Sequence, residues 1–198
     1  LLSVAIGVEA QSSLHVTGRT TNVLIAEDKE SVTLTVSLDL TIKNESQSNV
    51  ILLADEFQIG DHYISQNADP TKPNLLFRQS SAPSVNRSSY WADLQKPLDT
   101  LSPPANLTRT LSSGESINFT RTTSISIYKK GSYPASWSEI QASPSLWLRV
   151  VLDMFPTNLD RTSVSQKSFG KRLQKRWSRF GVLQIDTLQS APIKLDLK

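Results

Sequence analysis

Val32-Thr33-Leu34-Thr35-Val36-Ser37-Leu38-Asp39-Leu40-Thr41-Ile42 alternates without a fault: every even position is apolar and every odd one is polar. A period of two sustained this long, rich in β-branched residues, specifies a strand with one buried and one wet face. One-sided burial of this kind belongs to antiparallel sheets. A slip of one residue would turn the whole apolar row toward water, so the pattern itself sets the register. The six apolar side chains supply, at about 1.5–3 kcal/mol each, roughly 9–18 kcal/mol of gross burial, most of it cancelled by chain entropy.

Working outward, Lys43 to Asn49 is a polar turn, after which the run Val50-Ile51-Leu52-Leu53 resumes. Phe57 and Ile59 continue it beyond a bulge expected near Asp55. Gly60-Asp61 reads as a two-residue hairpin connection between Phe57-Gln58-Ile59 and His62-Tyr63-Ile64, with Gly supplying positive φ. Upstream, Leu14 and Val16 alternate in one phase and Val23 and Ile25 in the other, which places a break at Gly18. Downstream, Asn106 to Leu111 is a strand and Ser112-Ser113-Gly114-Glu115 a turn, followed by a row of Ile117, Phe119, Ile125 and Ile127. Leu146, Leu148, Val150, Leu152 and Met154 form a further row, with Trp147, Val151 and Phe155 on its other face and Pro156 as its stop. Val182 to Leu188 and Ile193 to Leu197 read as the last strands. Between Ser65 and Pro104 the periodicity disappears among Pro70, Pro73, Pro83, Pro97, Pro103 and Pro104, which marks an irregular insertion with one helical turn around Tyr90 to Gln95.

Short strands separated by turns, with one late helical pattern, predict an all-β chain: an antiparallel β-sandwich carrying a long insertion and one amphipathic helix. The block from Val32 through Ile59, with the Ser-Gly-Glu-Ser turn before Ile117, resembles immunoglobulin-like sandwich domains of exported bacterial proteins over about half the chain. It lacks the Cys…Trp…Cys core of antibody-type domains. The resemblance implies a role in adhesion, assembly or spacing.

Composition narrows the classes further. A chain of 198 residues with 38% apolar residues suits one domain. Its 29 Ser and 16 Thr fit a β-rich protein. There is no Cys, which excludes a disulfide framework, a thiolate zinc site and a cysteine nucleophile. Two His exclude a His-rich metal site, and neither a phosphate-cradling nor a dinucleotide-binding glycine motif is present, so no cofactor and no metal are expected. No apolar stretch approaches the length that spans a bilayer. Leu1 to Val8 resembles the end of a signal-peptide apolar region, and Val8-Glu9-Ala10 carries small residues where a signal peptidase reads. Residues 1–10 are therefore expected to be a signal-peptide remnant and residues 11–198 a single exported domain, periplasmic, cell-envelope or extracellular, with the insertion at 65–104 and the helix at 165–180.

The strongest functional signal is basic. Lys167, Lys171, Arg172, Lys175, Arg176 and Arg179 fall within thirteen residues with no acid among them. The chain has 21 basic and 18 acidic residues, and without these six the balance would be 15 against 18. The positive net charge and the sequence pI of about 9.2 thus come from one segment. Phe169, Leu173, Trp177 and Phe180 recur at helical spacing, within roughly 80° of one another at 100° per residue. A cationic amphipathic helix follows, with an aromatic side toward the protein and a basic side toward a polyanion such as lipid headgroups or an envelope polymer. Nucleic acid is the less favoured polyanion. The plainer reading is a helix whose charges only solvate its outer face.

Other candidates carry less. Tyr90, Trp91, Tyr133 and Trp137 lie in irregular surroundings and would suit sugar stacking. Four Asn-x-Ser/Thr triplets start at Asn44, Asn86, Asn106 and Asn118, and are uninformative in so Ser/Thr-rich a chain. Asp61-His62 is the one pair able to orient an imidazole toward a serine, but there is no Gly-x-Ser-x-Gly elbow. No catalytic residue is assigned. The expectation is a non-enzymatic exported binding or structural-interaction module whose partner is a protein or envelope polymer. A carbohydrate-binding module is the alternative, and a hydrolase with its site in the insertion is the third reading.

Overall fold

The computed structural model describes residues 14–53, 58–69, 71, 74–80, 95–130, 135–154 and 164–197. The elements run β1 (Leu14–Glu27), β2 (Ser31–Asn44), β3 (Val50–Leu53), β4 (Gln58–Ser65), β5 (Leu75–Ser80), a helical turn α1 (95–98), β6 (Thr108–Leu111), β7 (Ser116–Tyr128), α2 (Trp137–Gln141), β8 (Trp147–Asp153), α3 (Val164–Trp177), β9 (Val182–Leu183), β10 (Leu188–Gln189) and β11 (Ile193–Lys194). The chain is all-β, its sheets antiparallel but for one parallel pair, with a late amphipathic helix. The signal-peptide remnant expected at 1–10 and the bulge expected near Asp55 lie outside the described residues.

β2 is the centre of the first sheet, ordered β1-β2-β7. Val32, Leu34, Val36, Leu38, Leu40 and Ile42 are all buried, as the alternation requires. Opposite them on β7 stand Ile117, Ile125 and Ile127 in register with Ile42, Leu34 and Val32. The outer face is a field of hydroxyls, with Ser37 and Thr122 within hydrogen-bond distance and Thr41 donating to Asn118. The second sheet runs β10-β8-β4-β5, with β11 also on β8. Leu148, Val150 and Leu152 of β8 and Ile64 of β4 join the first sheet's row in one core. The two sheets are stitched along β1: the Ala191 amide donates to the Val16 carbonyl at 2.7 Å, and the Thr20 hydroxyl donates to the Lys194 carbonyl at 3.1 Å.

A third sheet, β6-β3-β9, includes the parallel pair β3 and β9. All four residues of β3 are buried. Val50 and Leu52 face the main core, while Ile51 and Leu53 face a second cluster with Leu98, Phe169, Leu173, Trp177 and Leu183. An unbroken apolar run is what a strand covered on both faces requires.

Three local expectations change. Gly60-Asp61 is no hairpin: β4 passes straight through it, with a bulge between Ile59 and Asp61 against β8. A glycine between two apolar stretches reads the same for a turn and a bulge. Here it is the bulge, because Ile59 and Asp61 pair with the adjacent residues Leu152 and Val151 of β8 and leave Gly60 as the extra residue. β1 does not break at Gly18 but changes phase across Thr20 and Asn22, one extra residue reversing the parity of Val23 and Ile25. Gly18 serves a close approach, since a Cβ there would meet the Leu40 side chain at 2.6 Å. The 65–104 stretch is not wholly irregular: β5 within it pairs with β4, and a helical turn is described at 95–98, while residues 90–94 of the expected turn lie outside the described residues.

One-sided burial has a measurable signature. In chemical denaturation, Leu38→Ala is expected to lower stability by about 2–5 kcal/mol, and Ser37→Ala by well under about 1 kcal/mol. Equal losses at the two positions would contradict the face assignment.

Candidate polyanion-contact surface

α3 is amphipathic in fact as in pattern. Phe169, Leu173 and Trp177 are buried, Trp177 completely, in the second cluster against Ile51, Leu53, Leu98 and Leu183. The helix ends at Trp177 rather than at 180. Phe180 belongs to the turn that follows, its amide donating to the Trp177 carbonyl at 2.8 Å. The turn is pressed against the start of β3: a Cβ at Gly181, whose φ is +153°, would lie 2.6 Å from the Asn49 carbonyl oxygen. The Trp177 indole N–H donates to the Thr100 carbonyl at 3.0 Å. Helix, turn and the 99–100 loop are thereby fixed to one another.

That mounting decides where the charge points. Lys171, Arg172, Lys175, Arg176 and Arg179 are all exposed; the side chain of Lys167 lies outside the described residues. Arg176 is ion-paired with Asp99 and also reaches the Thr100 carbonyl. Among the described residues, Lys171, Arg172, Lys175 and Arg179 have no carboxylate within salt-bridge distance. Arg172 lies over the Phe169 ring at 5.4 Å, and Arg179 over the Phe180 ring at 4.7 Å. Such contacts hold a guanidinium in place without neutralising it. Sequence spacing exposed the basic face but gave no sign of Asp99, which lies 77 residues away from its partner.

Of the sugar-stacking set, only Trp137 is among the described residues. Trp137 opens α2 and is buried at 6% exposure beside Ile140, its helix started by a Ser136–Glu139 capping box. The pattern of irregular, serine-rich surroundings hid a short capped helix that turns its tryptophan into the core. Tyr90, Trp91 and Tyr133 lie outside the described residues, as do residues 81–94 of the insertion in which the third reading placed a hydrolase site. Of the glycosylation-type triplets, the one at Asn44 is occluded. The Asn44 side chain is fully buried, donates to the carbonyls of Ser48, Leu111 and Ser112, and accepts from Ser46.

Asp61 and His62 do not form a catalytic pair. Asp61 faces outward, where it accepts from the Tyr63 hydroxyl and meets Arg78 at 3.5 Å. His62 points into the core, fully buried, and its Nε2 is hydrogen-bonded with the Thr123 hydroxyl of β7. Burial holds its pKa below the ordinary 6.5; the Gln79 backbone opposes that shift without satisfying Nδ1. A groove of about 590 Å³ also crosses the outer face of the first sheet. Its walls are already paired with each other: Arg19 donates to Asp39 at 3.0 Å, as does Thr120, and Thr41 donates to Asn118 at 2.7 Å. The Arg19 guanidinium and then the Thr120 hydroxyl hold the Asp39 carboxyl below its usual range.

Two outcomes test this arrangement. His62 is kept neutral in the fold, so its contribution to stability is complete above the unfolded value of 6.5 and is lost as pH falls below it. The Tm is expected to drop as pH is lowered from about 7.5 toward 5.5, and His62→Gln to flatten part of that dependence. Trp177→Ala is expected to cost about 3–5 kcal/mol in denaturant titration, and Arg172→Gln less than about 0.5 kcal/mol. No protein-family model, curated protein or solved structure matches this chain.

Proposed function

We infer that the protein is a non-enzymatic, exported binding module that engages polyanions through the outer face of α3. One observation carries the reading. The apolar side of α3 is spent on the second cluster, which leaves Lys171, Arg172, Lys175 and Arg179 on a fixed surface without neighbouring carboxylates among the described residues. A rigidly mounted row of uncompensated cations focuses positive potential outward and raises the local concentration of anionic partners. The framework that holds it is read as an immunoglobulin-like sandwich, supported by two antiparallel sheets that contribute to one core. Export rests on the pattern from Leu1 to Ala10. The burial of His62 against Thr123 weighs against the hydrolase reading, and that of Trp137 against a stacking platform for sugars.

Heparin is a direct probe. Binding is expected at low salt and should weaken steeply as ionic strength rises from about 50 to 200 mM, because exposed charges are screened over roughly a Debye length. Changing Lys171, Arg172, Lys175 and Arg179 together to Gln should abolish heparin binding and leave the Tm nearly unchanged, since exposed charges contribute little to stability. Arg176 is left in place because its pair with Asp99 fastens the neighbouring loop. Salt-independent binding, or none at low salt, would overturn the reading.

A further inference from the structure

Resting on that polyanion reading, we propose that the partner of the α3 face is the anionic headgroup surface of a lipid bilayer, with Leu101 entering its outer layer beside the cations. The shape of the basic face comes first. Lys171, Arg172 and Lys175 project from a convex helix surface over an arc of about 100° and a length of about 6 Å at 1.5 Å per residue, and Arg179 follows in the turn beyond the helix. A convex ridge of long, flexible cations can set all its charged ends on one plane. Proteins that hold a single nucleic-acid strand instead pair a groove with aromatic side chains on which bases stack. The aromatic side chains of α3 are unavailable for stacking: Phe169 and Trp177 are buried, and Phe180 beyond the helix is half-buried, with Arg179 over its ring.

Leu101 is the second observation. It is 77% exposed, more than any other large apolar side chain among the described residues. It is not on a distant loop. The preceding carbonyl, that of Thr100, accepts from Trp177 and from Arg176, and Asp99 pairs with Arg176. The loop that carries Leu101 is therefore tied to one border of the basic face. Holding a leucine in water costs free energy that a soluble polyanion would not return. A bilayer returns it, because interfacial sites join cations for the headgroups to aliphatic side chains for the acyl boundary. Since the apolar side of α3 is committed to the protein core, contact is peripheral and salt-reversible, with no insertion of the helix.

The experiment uses the full chain, sedimented with vesicles of phosphatidylcholine alone and of phosphatidylcholine mixed with phosphatidylglycerol, with heparin and a short DNA duplex as soluble probes. Of the two vesicle types only the mixed one is expected to bind, and heparin is expected to bind at low salt. Leu101→Ser should weaken vesicle binding roughly tenfold, as loss of a buried leucine would, while leaving heparin binding and the Tm unchanged. Each α3 cation changed to Gln should cost roughly fivefold on vesicles. If Leu101→Ser binds the mixed vesicles as the parent does, or if DNA binds as tightly as the vesicles and indifferently to Leu101, the bilayer inference is overturned while the polyanion reading stands. If neither heparin nor vesicles bind at low salt, both fall together.

Discussion

Burial of β3 on both faces is the constraint on which the rest of the structure depends. Four consecutive residues, Val50 to Leu53, divide alternately between two apolar clusters. Neither cluster can be opened without exposing one face of the same short strand. Through Val50 and Leu52 the strand belongs to the core shared by the two larger sheets, and through Ile51 and Leu53 it is the floor on which α3 rests. A strand of this kind has no wet face to tolerate polar substitution. It transmits the rigidity of the sheets to a helix that would not hold together by itself, because fourteen residues with a glycine near the middle are marginal for an isolated helix in water.

The parts of this architecture legible in the sequence are those where one physical demand produces one pattern. β2 is such a case: a central strand of a sheet buried on one side must alternate, and almost nothing else alternates for eleven residues. The Val50-Ile51-Leu52-Leu53 run marked a strand, but its second partner could not be read, because an apolar run says only that both faces are covered. Gly60 shows the opposite difficulty. A glycine flanked by short apolar stretches satisfies a hairpin and a bulge equally, and the β8 strand whose pairing decides between them lies far along the chain. β5 was hidden because Leu75-Leu76-Phe77-Arg78-Gln79-Ser80 does not alternate, although only Phe77 of its apolar residues is buried in the main core.

The candidate surface was legible to a similar degree. Helical spacing separated the aromatic from the basic residues of α3 correctly, since amphipathicity is a local property of one element. What converts a basic helix into a particular surface is long-range, and it left no local trace. Asp99 withdraws Arg176 from the free set, and Thr100 fixes the indole of Trp177. Leu101 is held near the cations only because the preceding carbonyl, that of Thr100, accepts from Arg176 and from the Trp177 indole. Asn44 makes the same point for a motif: the triplet it begins is a glycosylation signal in form, whereas its side chain is a buried hub that closes the turns after β2 and β6.

The charge pattern of α3 is poorly suited to its own stability, and this bears on what the face is for. Lys171 and Lys175 stand four residues apart on the helix, and like charges so placed oppose each other by a few tenths of a kcal/mol. The helix macrodipole favours Lys175 and Arg176 in the last turn, but gives little to Lys171 and Arg172 farther from the end. A helix that merely needed to be wet could interleave acids at these spacings and gain the same increments that repulsion removes. From residue 164 to 179 there is no acid at all, and among the described residues the one carboxylate brought in from elsewhere meets Arg176, at the border of the face rather than its centre. Among the described residues the fold therefore neutralises Arg176 and brings no carboxylate to Lys171, Arg172, Lys175 or Arg179. That distribution is what a surface requires if its counter-charge is to come from outside the molecule.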